Sequence, residues 1–212
     1  MKRESLLLYA VTDSKERPDR KSIVQQVRAA LAGGATCVQL REKHIDEEAF
    51  VKEALEVKKI CSEYGVPLII NDNVEVALRV GADGVHVGQD DMPARRVREI
   101  AGDKLIVGVS AHTPEEAIKA QKEGADYLGA GAVFPTGTKP DAGAMSYGTL
   151  KAICDAVDIP VVAIGGINKT NMKKLSGSGI AGVALVSAIF SADDIEKECA
   201  VLRALAKETV TL

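Results

Sequence analysis

Eight short runs of aliphatic and β-branched residues recur along the chain. They lie at Leu6–Val11, Thr36–Leu40, Pro67–Ile70, Gly84–Val87, Leu105–Val109, Tyr127–Gly131, Pro160–Ile164 and Gly182–Val186. Between them run stretches such as Ser22–Gly34, Asp46–Gly65 and Thr113–Gly124, where apolar residues recur three and four positions apart, the spacing of one helical face. Helix starts are marked by Asp46 before Glu47 and Glu48, and by Thr113 before Pro114, Glu115 and Glu116. Helix ends are predicted at Gly33, Gly65, Gly124 and Gly179. Strand and helix thus alternate eight times.

A second repeat overlies the first. Runs two, four, six and eight are introduced by Gly33–Thr36, Gly81–Gly84, Gly124–Tyr127 and Gly179–Gly182, whereas runs three and seven follow Val66-Pro67 and Ile159-Pro160. Even/odd alternation suits a barrel whose interior layers are filled by alternate strands. An open doubly wound sheet also alternates strand and helix, but the count of eight, the short chain and the lack of an early G-x-G-x-x-G favour an α/β fold of the single (β/α)8 TIM-barrel class. No linker or composition shift divides residues 1–212, which are read as one catalytic domain.

Composition narrows the picture. Aromatics make up 3% of residues against 46% hydrophobic, so the core is expected to be aliphatic, as strands buried on both faces require. A net charge of −3, with both signs mixed throughout, provides no basic field for nucleic acid and no polybasic patch for a membrane surface. No apolar run approaches a membrane span, and the N-terminal apolar stretch is too short for a signal peptide. Cys37, Cys61, Cys154 and Cys199 show neither metal nor disulfide spacing and read as reduced, packed thiols of a cytoplasmic protein.

In a barrel of this class, polar residues just past strand C-termini form the active site. Gly165-Gly166 and Val186-Ser187, after strands seven and eight, occupy the place where such barrels bind a phosphate. Arg41 and Lys43 after strand two, with Lys139 after strand six, suit an anion of high charge. Asp72 and Asp91, after strands three and four, would repel that anion unless a cation lay between, and Mg²⁺ takes one or two carboxylates together with substrate phosphate oxygens. His44, His86 and His112 have no zinc-ligand spacing. His86 reads as a packed core histidine, and His112 as a mouth residue with no evident carboxylate partner. The segment from Pro135 to Ser146, rich in Gly and Ala, is the candidate lid.

The segments Tyr9–Asp13, Val38–Lys43, Ile70–Asp72, Gly81–Asp91, Gly108–Ser110, Phe134–Lys139, Ala163–Ile167 and Val186–Ile189 together resemble the thiamine-phosphate synthase (thiamine-phosphate pyrophosphorylase) family, in order from strand one to strand eight. Gln-Leu-Arg-Glu-Lys and Pro-Thr-x-Thr-Lys are the specific elements. The resemblance implies a transferase that condenses 4-amino-5-hydroxymethyl-2-methylpyrimidine diphosphate with 4-methyl-5-(2-phosphoethyl)thiazole and releases diphosphate. It implies that Gln39, Arg41, Lys43, Asn71, Ser110 and Lys139 contact the pyrimidine diphosphate, with Arg41, Lys43, Ser110 and Lys139 carrying the chemistry. Asp72 and Asp91 would bind Mg²⁺, and Thr136, Thr138, Gly166, Val186 and Ser187 would hold the thiazole phosphate. The partners are then two small molecules; homo-oligomer formation is left open. A thiazole tautomerase or a non-catalytic phosphate sensor would need neither the two aspartates nor Lys139, whose presence argues against both.

Overall fold

The computed structural model describes residues 1–12, 22–43, 45–135 and 145–210. Eight parallel strands pair in sequence order into a closed barrel: β1 Leu8–Val11, β2 Cys37–Leu40, β3 Leu68–Asn71, β4 Gly84–Val87, β5 Ile106–Ala111, β6 Tyr127–Gly131, β7 Val161–Ile164 and β8 Gly182–Leu185. β1 and β8 close it, with Leu8 opposite Val183 and Ala10 opposite Leu185. The (β/α)8 architecture expected from the alternating pattern is therefore the one observed.

Around the barrel run α1 Ile23–Ala32, α2 Glu47–Glu63, α3 Val74–Arg79, α4 Ala94–Ala101, α5 Pro114–Lys122, α6 Tyr147–Ala156, α7 Ser187–Phe190 and α8 Ile195–Thr209. The predicted caps form. Asp46 accepts from the Ala49 N–H, and Thr113 accepts from the Glu116 N–H with Pro114 in the first turn. Two expectations need correction. The first run does not begin as strand, because Arg3–Leu6 is a 3₁₀ turn that plugs the barrel floor with Leu6. After β7 there is no α-helix but a single 3₁₀ turn, Met172–Leu175. Glycines at 165, 166, 177 and 179, on either side of this turn, all take positive φ.

The two-strand repeat has a physical cause. The residue immediately before each of β2, β4 and β6 ties down the preceding odd-numbered strand. Thr36 Oγ1 accepts from the Leu8 N–H at 2.9 Å, Asp83 Oδ2 from Leu68 at 2.8 Å, and Asp126 Oδ2 from Val107 at 2.7 Å. Asp83 also meets Lys58 of α2, and Asp126 meets Arg98 of α4, so strand and helix share one carboxylate. At β8 the equivalent residue is Ala181, which keeps only the backbone bond to Val161.

Two apolar layers result. The outer one, between sheet and helices, is aliphatic as expected, built from residues such as Val38, Leu40, Ile70, Val107, Leu128 and Leu150. The barrel interior is different: Tyr9 and Tyr127 are fully buried there with Leu6, Cys37, Ile69 and Val162. An aliphatic core is thus true of one layer only. Two of the tyrosines, Tyr9 and Tyr127, are placed where a wide lumen must be filled and a polar tip can find partners, whereas Phe50 and Phe190 belong to the outer layer.

The floor carries stability rather than chemistry. Asp126→Ala strips a hydrogen bond from the Val107 N–H and leaves Arg98 without its carboxylate, at a cost of about 2–3 kcal/mol. The expected outcome is a thermal midpoint lower by roughly 4–10 °C in calorimetry.

Candidate active site

The mouth of the barrel holds a cavity lined by Gln39, Arg41, Asn71, Ser110, Gly166, Val186 and Ser187, seven residues singled out from the sequence. Each stands at or just past a strand C-terminus, and closure of the sheet brings them together. Lys43, Asp72 and Asp91 stand beside them: Asn71 Nδ2 donates to Asp72 Oδ2 at 2.6 Å, and Lys43 Nζ lies 3.9 Å from the same oxygen. Thr136, Thr138, Lys139 and most of the candidate lid lie outside the described residues.

Local structure explains several placements. Thr12, fully buried, accepts from the Arg41 N–H at 2.8 Å and so fixes the backbone from which the guanidinium leaves β2. Arg41 has no carboxylate within ion-pair distance among the described residues, so its fork is available to an anion. At the opposite side, Gly165 and Gly166 have φ of 99° and 65°. A Cβ on Gly166 would collide with the carbonyls of Pro135 and Phe134, so only glycine fits this turn. Asn171 pins the loop by donating to the Gly166 carbonyl at 2.9 Å. The short helix α7 starts at Ser187, the position of the extra helix that commonly accompanies phosphate sites in this fold.

Asp72 has φ of 62°, the one non-glycine residue with positive φ among those described. Its carboxyl is pushed up to about 6, first by burial and then by Asp91, which lies within hydrogen-bonding distance; Lys43 offsets only part of this. Asp91 is held in place by the Gly88 N–H, which donates to its Oδ2 at 2.8 Å. Two neighbouring carboxylates, with Lys43 the one cation in ion-pair range of Asp72 among the described residues, form an acidic pair. Hard oxygen donors in that state fit a divalent cation that takes its other ligands from water and phosphate. No group of three or more His, Cys, Asp or Glu side chains converges among the described residues, so protein atoms alone would not saturate such an ion.

Sequence reasoning missed part of the site. Tyr9 and His86 line the cavity, and His86 bridges Tyr127 and Ser110 instead of merely packing. His112 also lines the cavity and does have a carboxylate partner: Glu116 Oε2 accepts from its backbone N–H at 2.7 Å and lies 3.1 Å from Nδ1. The four-residue spacing across the Thr113 cap was the signal. Thr12 and Asn171 act through backbone groups, which leave no mark in side-chain chemistry.

A family model described as thiamine monophosphate synthase matches residues 8–189. This chain belongs to that family. It is 50% identical over 194 residues to the thiamine-phosphate synthase of Clostridium tetani, covering 91% of each chain. It is 54% identical over 189 residues to that of Ruminiclostridium cellulolyticum, covering 89% of this chain and 90% of the relative. The solved thiamine phosphate pyrophosphorylase from Pyrococcus furiosus superposes with a TM-score of 0.90 at 41% identity, over 99% of both chains. The family thus agrees with the resemblance drawn from the motifs, and the match spans all the strand ends that build the cavity.

The acidic pair predicts a trade of stability for function. Because the Asp72 carboxyl is raised in the folded protein, folding favours its protonated form. The resulting destabilisation is absent below pH 4, builds up to about pH 6 and is complete above it. With the side chain a third exposed, solvent screening leaves about 1 kcal/mol of this effect. Asn also tolerates positive φ well. In metal-free protein at pH 7.5, Asp72→Asn is expected to raise the thermal midpoint by roughly 2–4 °C. The gain should vanish at pH 4, and a scan showing the same gain at both pH values would contradict the cause given.

Proposed function

We propose that the chain joins 4-amino-5-hydroxymethyl-2-methylpyrimidine diphosphate to 4-methyl-5-(2-phosphoethyl)thiazole, giving thiamine phosphate and diphosphate. The observation that carries this reading is one cavity lined by both Gly166 with Ser187 and Arg41, with the Asp72–Asp91 pair beside it. Membership of the family over residues 8–189 supports it independently.

In this reading Gly166, Val186 and Ser187, with Thr136 and Thr138, take the thiazole monophosphate. Gln39, Arg41, Lys43, Asn71, Ser110 and Lys139 take the pyrimidine diphosphate. Asp72 and Asp91 would hold Mg²⁺, which when bound supplies charge that neutralises the departing diphosphate. The C–O bond to diphosphate breaks with its electron pair leaving on oxygen, and the pyrimidinylmethyl cation is stabilised by the ring amino group. The thiazole nitrogen then forms the new C–N bond with its own lone pair. No general base is needed, which suits a cavity whose strongest groups are cations and hydrogen-bond donors. The residues act chiefly by holding the two rings within attack distance, roughly 3–3.5 Å, and by offsetting the charge that leaves.

No helix among the described residues is long and apolar enough to cross a membrane. Among the cysteines, Cys61 and Cys199 are pushed up to about 12 and Cys154 to about 11, all chiefly by burial, so they stay as thiols. Unpaired, protonated cysteines accord with a cytoplasmic enzyme, which we include in the proposal.

Incubation of purified protein with both substrates and Mg²⁺, followed by mass spectrometry for thiamine phosphate and a diphosphate assay, tests the reaction. Absence of both products overturns it. Asp72→Ala is expected to lower kcat a hundredfold or more, since metal charge stabilisation is worth several kcal/mol. Lys139→Ala should lower kcat with an unchanged thermal midpoint, and a large drop in that midpoint would instead make the lysine structural.

A further inference from the structure

Five side chains from five strands join in one hydrogen-bonded line across the barrel. Gln39 Nε2 donates to the Tyr9 hydroxyl at 2.8 Å, and the Tyr9 and Tyr127 hydroxyls are 2.8 Å apart. The Tyr127 hydroxyl is 3.0 Å from His86 Nδ1, and His86 Nε2 is 3.1 Å from Ser110 Oγ. Tyr9 and Tyr127 are fully buried, whereas Ser110 is half-buried and lines the cavity. The space for this line is reserved in the backbone. A Cβ on Gly108 would fall inside the Tyr127 ring, and one on Gly129 would press on His86 Cε1 at 3.1 Å.

We propose that Tyr9 and Tyr127 are positioning residues that set the tautomer of His86 and thereby make the Ser110 hydroxyl a hydrogen-bond donor into the cavity. Each phenol has one proton, and burial pushes both phenol pKa values well above the usual range, so neither gives it up. An amide N–H can only donate. With Gln39 donating, Tyr9 receives at its oxygen and passes its own proton onward. Cys37 is also near Tyr9, but a thiol is the weaker acceptor, so the Tyr127 oxygen is the better taker. Tyr127 then donates to His86 Nδ1, which leaves the imidazole proton on Nε2. That N–H donates to Ser110 Oγ, and the serine proton has only the cavity left to point into.

Charge gives the same direction. In the reverse line Ser110 would donate inward and turn lone pairs toward a cavity built for phosphates. In the forward line it meets an acceptor atom of the pyrimidine diphosphate with a donor already polarised by four preceding bonds. The inference rests on the reaction proposed above for its kinetic effect, but not for the tautomer.

The test has two parts. In ¹⁵N-histidine-labelled protein near pH 8, with signals assigned through His44→Gln and His112→Gln, His86 should show a protonated Nε2 and an unprotonated Nδ1. A protonated Nδ1 overturns the proposal whether or not any reaction is observed. Tyr127→Phe keeps the ring and removes one link, and should lower kcat about tenfold with little change in KM, the effect of one lost hydrogen bond. In a Ser110→Ala background the same change should have no further effect. A Tyr127→Phe loss of equal size with and without Ser110 would show that the tyrosine acts by another route and would overturn its assignment.

Discussion

Closure of β1 against β8 is the constraint from which the rest of this structure follows. A closed parallel sheet points every strand C-terminus at one mouth, so residues as far apart as Gln39 and Ser187 share a cavity without any long loop to bring them there. Closure also encloses a lumen that helices cannot reach, and the chain must fill it from its own inward-facing positions. Small residues on β5 and β6 admit two large polar ones, Tyr127 and His86, and their polar tips are satisfied by one another. The interior is therefore a packed support for the mouth and at the same time part of it.

The two ends of the barrel divide the labour. At the floor, Thr36, Asp83 and Asp126 each hold a neighbouring strand, with Lys58 and Arg98 tying helices to the same carboxylates. At the mouth, among the described residues, Asp72 and Asp91 share only Lys43, Arg41 has no carboxylate partner, and Asp72 is in a backbone conformation that most residues avoid. The first set stabilises the fold, and the raised Asp72 carboxyl in the second offsets part of that gain. Both sets are aspartates and basic residues, so position along the strand, not residue type, decides which role is taken.

Much of this was legible in the chain. Strand β4 and strand β6 coincide at both ends with the aliphatic runs that predict them, and the caps at Asp46 and Thr113 form as their residue order implies. Seven predicted site residues line one cavity because strand-end position alone places them there. Part of what escaped depends on partners distant in sequence. His86 sits in a strand whose pattern looks apolar, and only the neighbours across the lumen, Tyr127 and Ser110, show what it bridges. The missing helix after β7 escaped because Asn168–Leu175 has helix-compatible spacing, yet it winds only as the 3₁₀ turn Met172–Leu175. The Glu116 partner of His112 lies not at a strand end but on the helix that follows, four residues on.

The 3₁₀ turn between β7 and β8 has a consequence for how chain length can vary. Elsewhere a full helix separates one strand from the next, and extra residues at a helix end can bulge into solvent without moving the mouth. Between Ile164 and Gly182 the chain has no such slack. Asn171 grips the Gly166 carbonyl, Met172 and Leu175 are buried, and Ala181 is already bonded to Val161. This stretch behaves as a strut of fixed length, so a single inserted or deleted residue there would shift the Gly165-Gly166 turn relative to the other strand ends of the mouth.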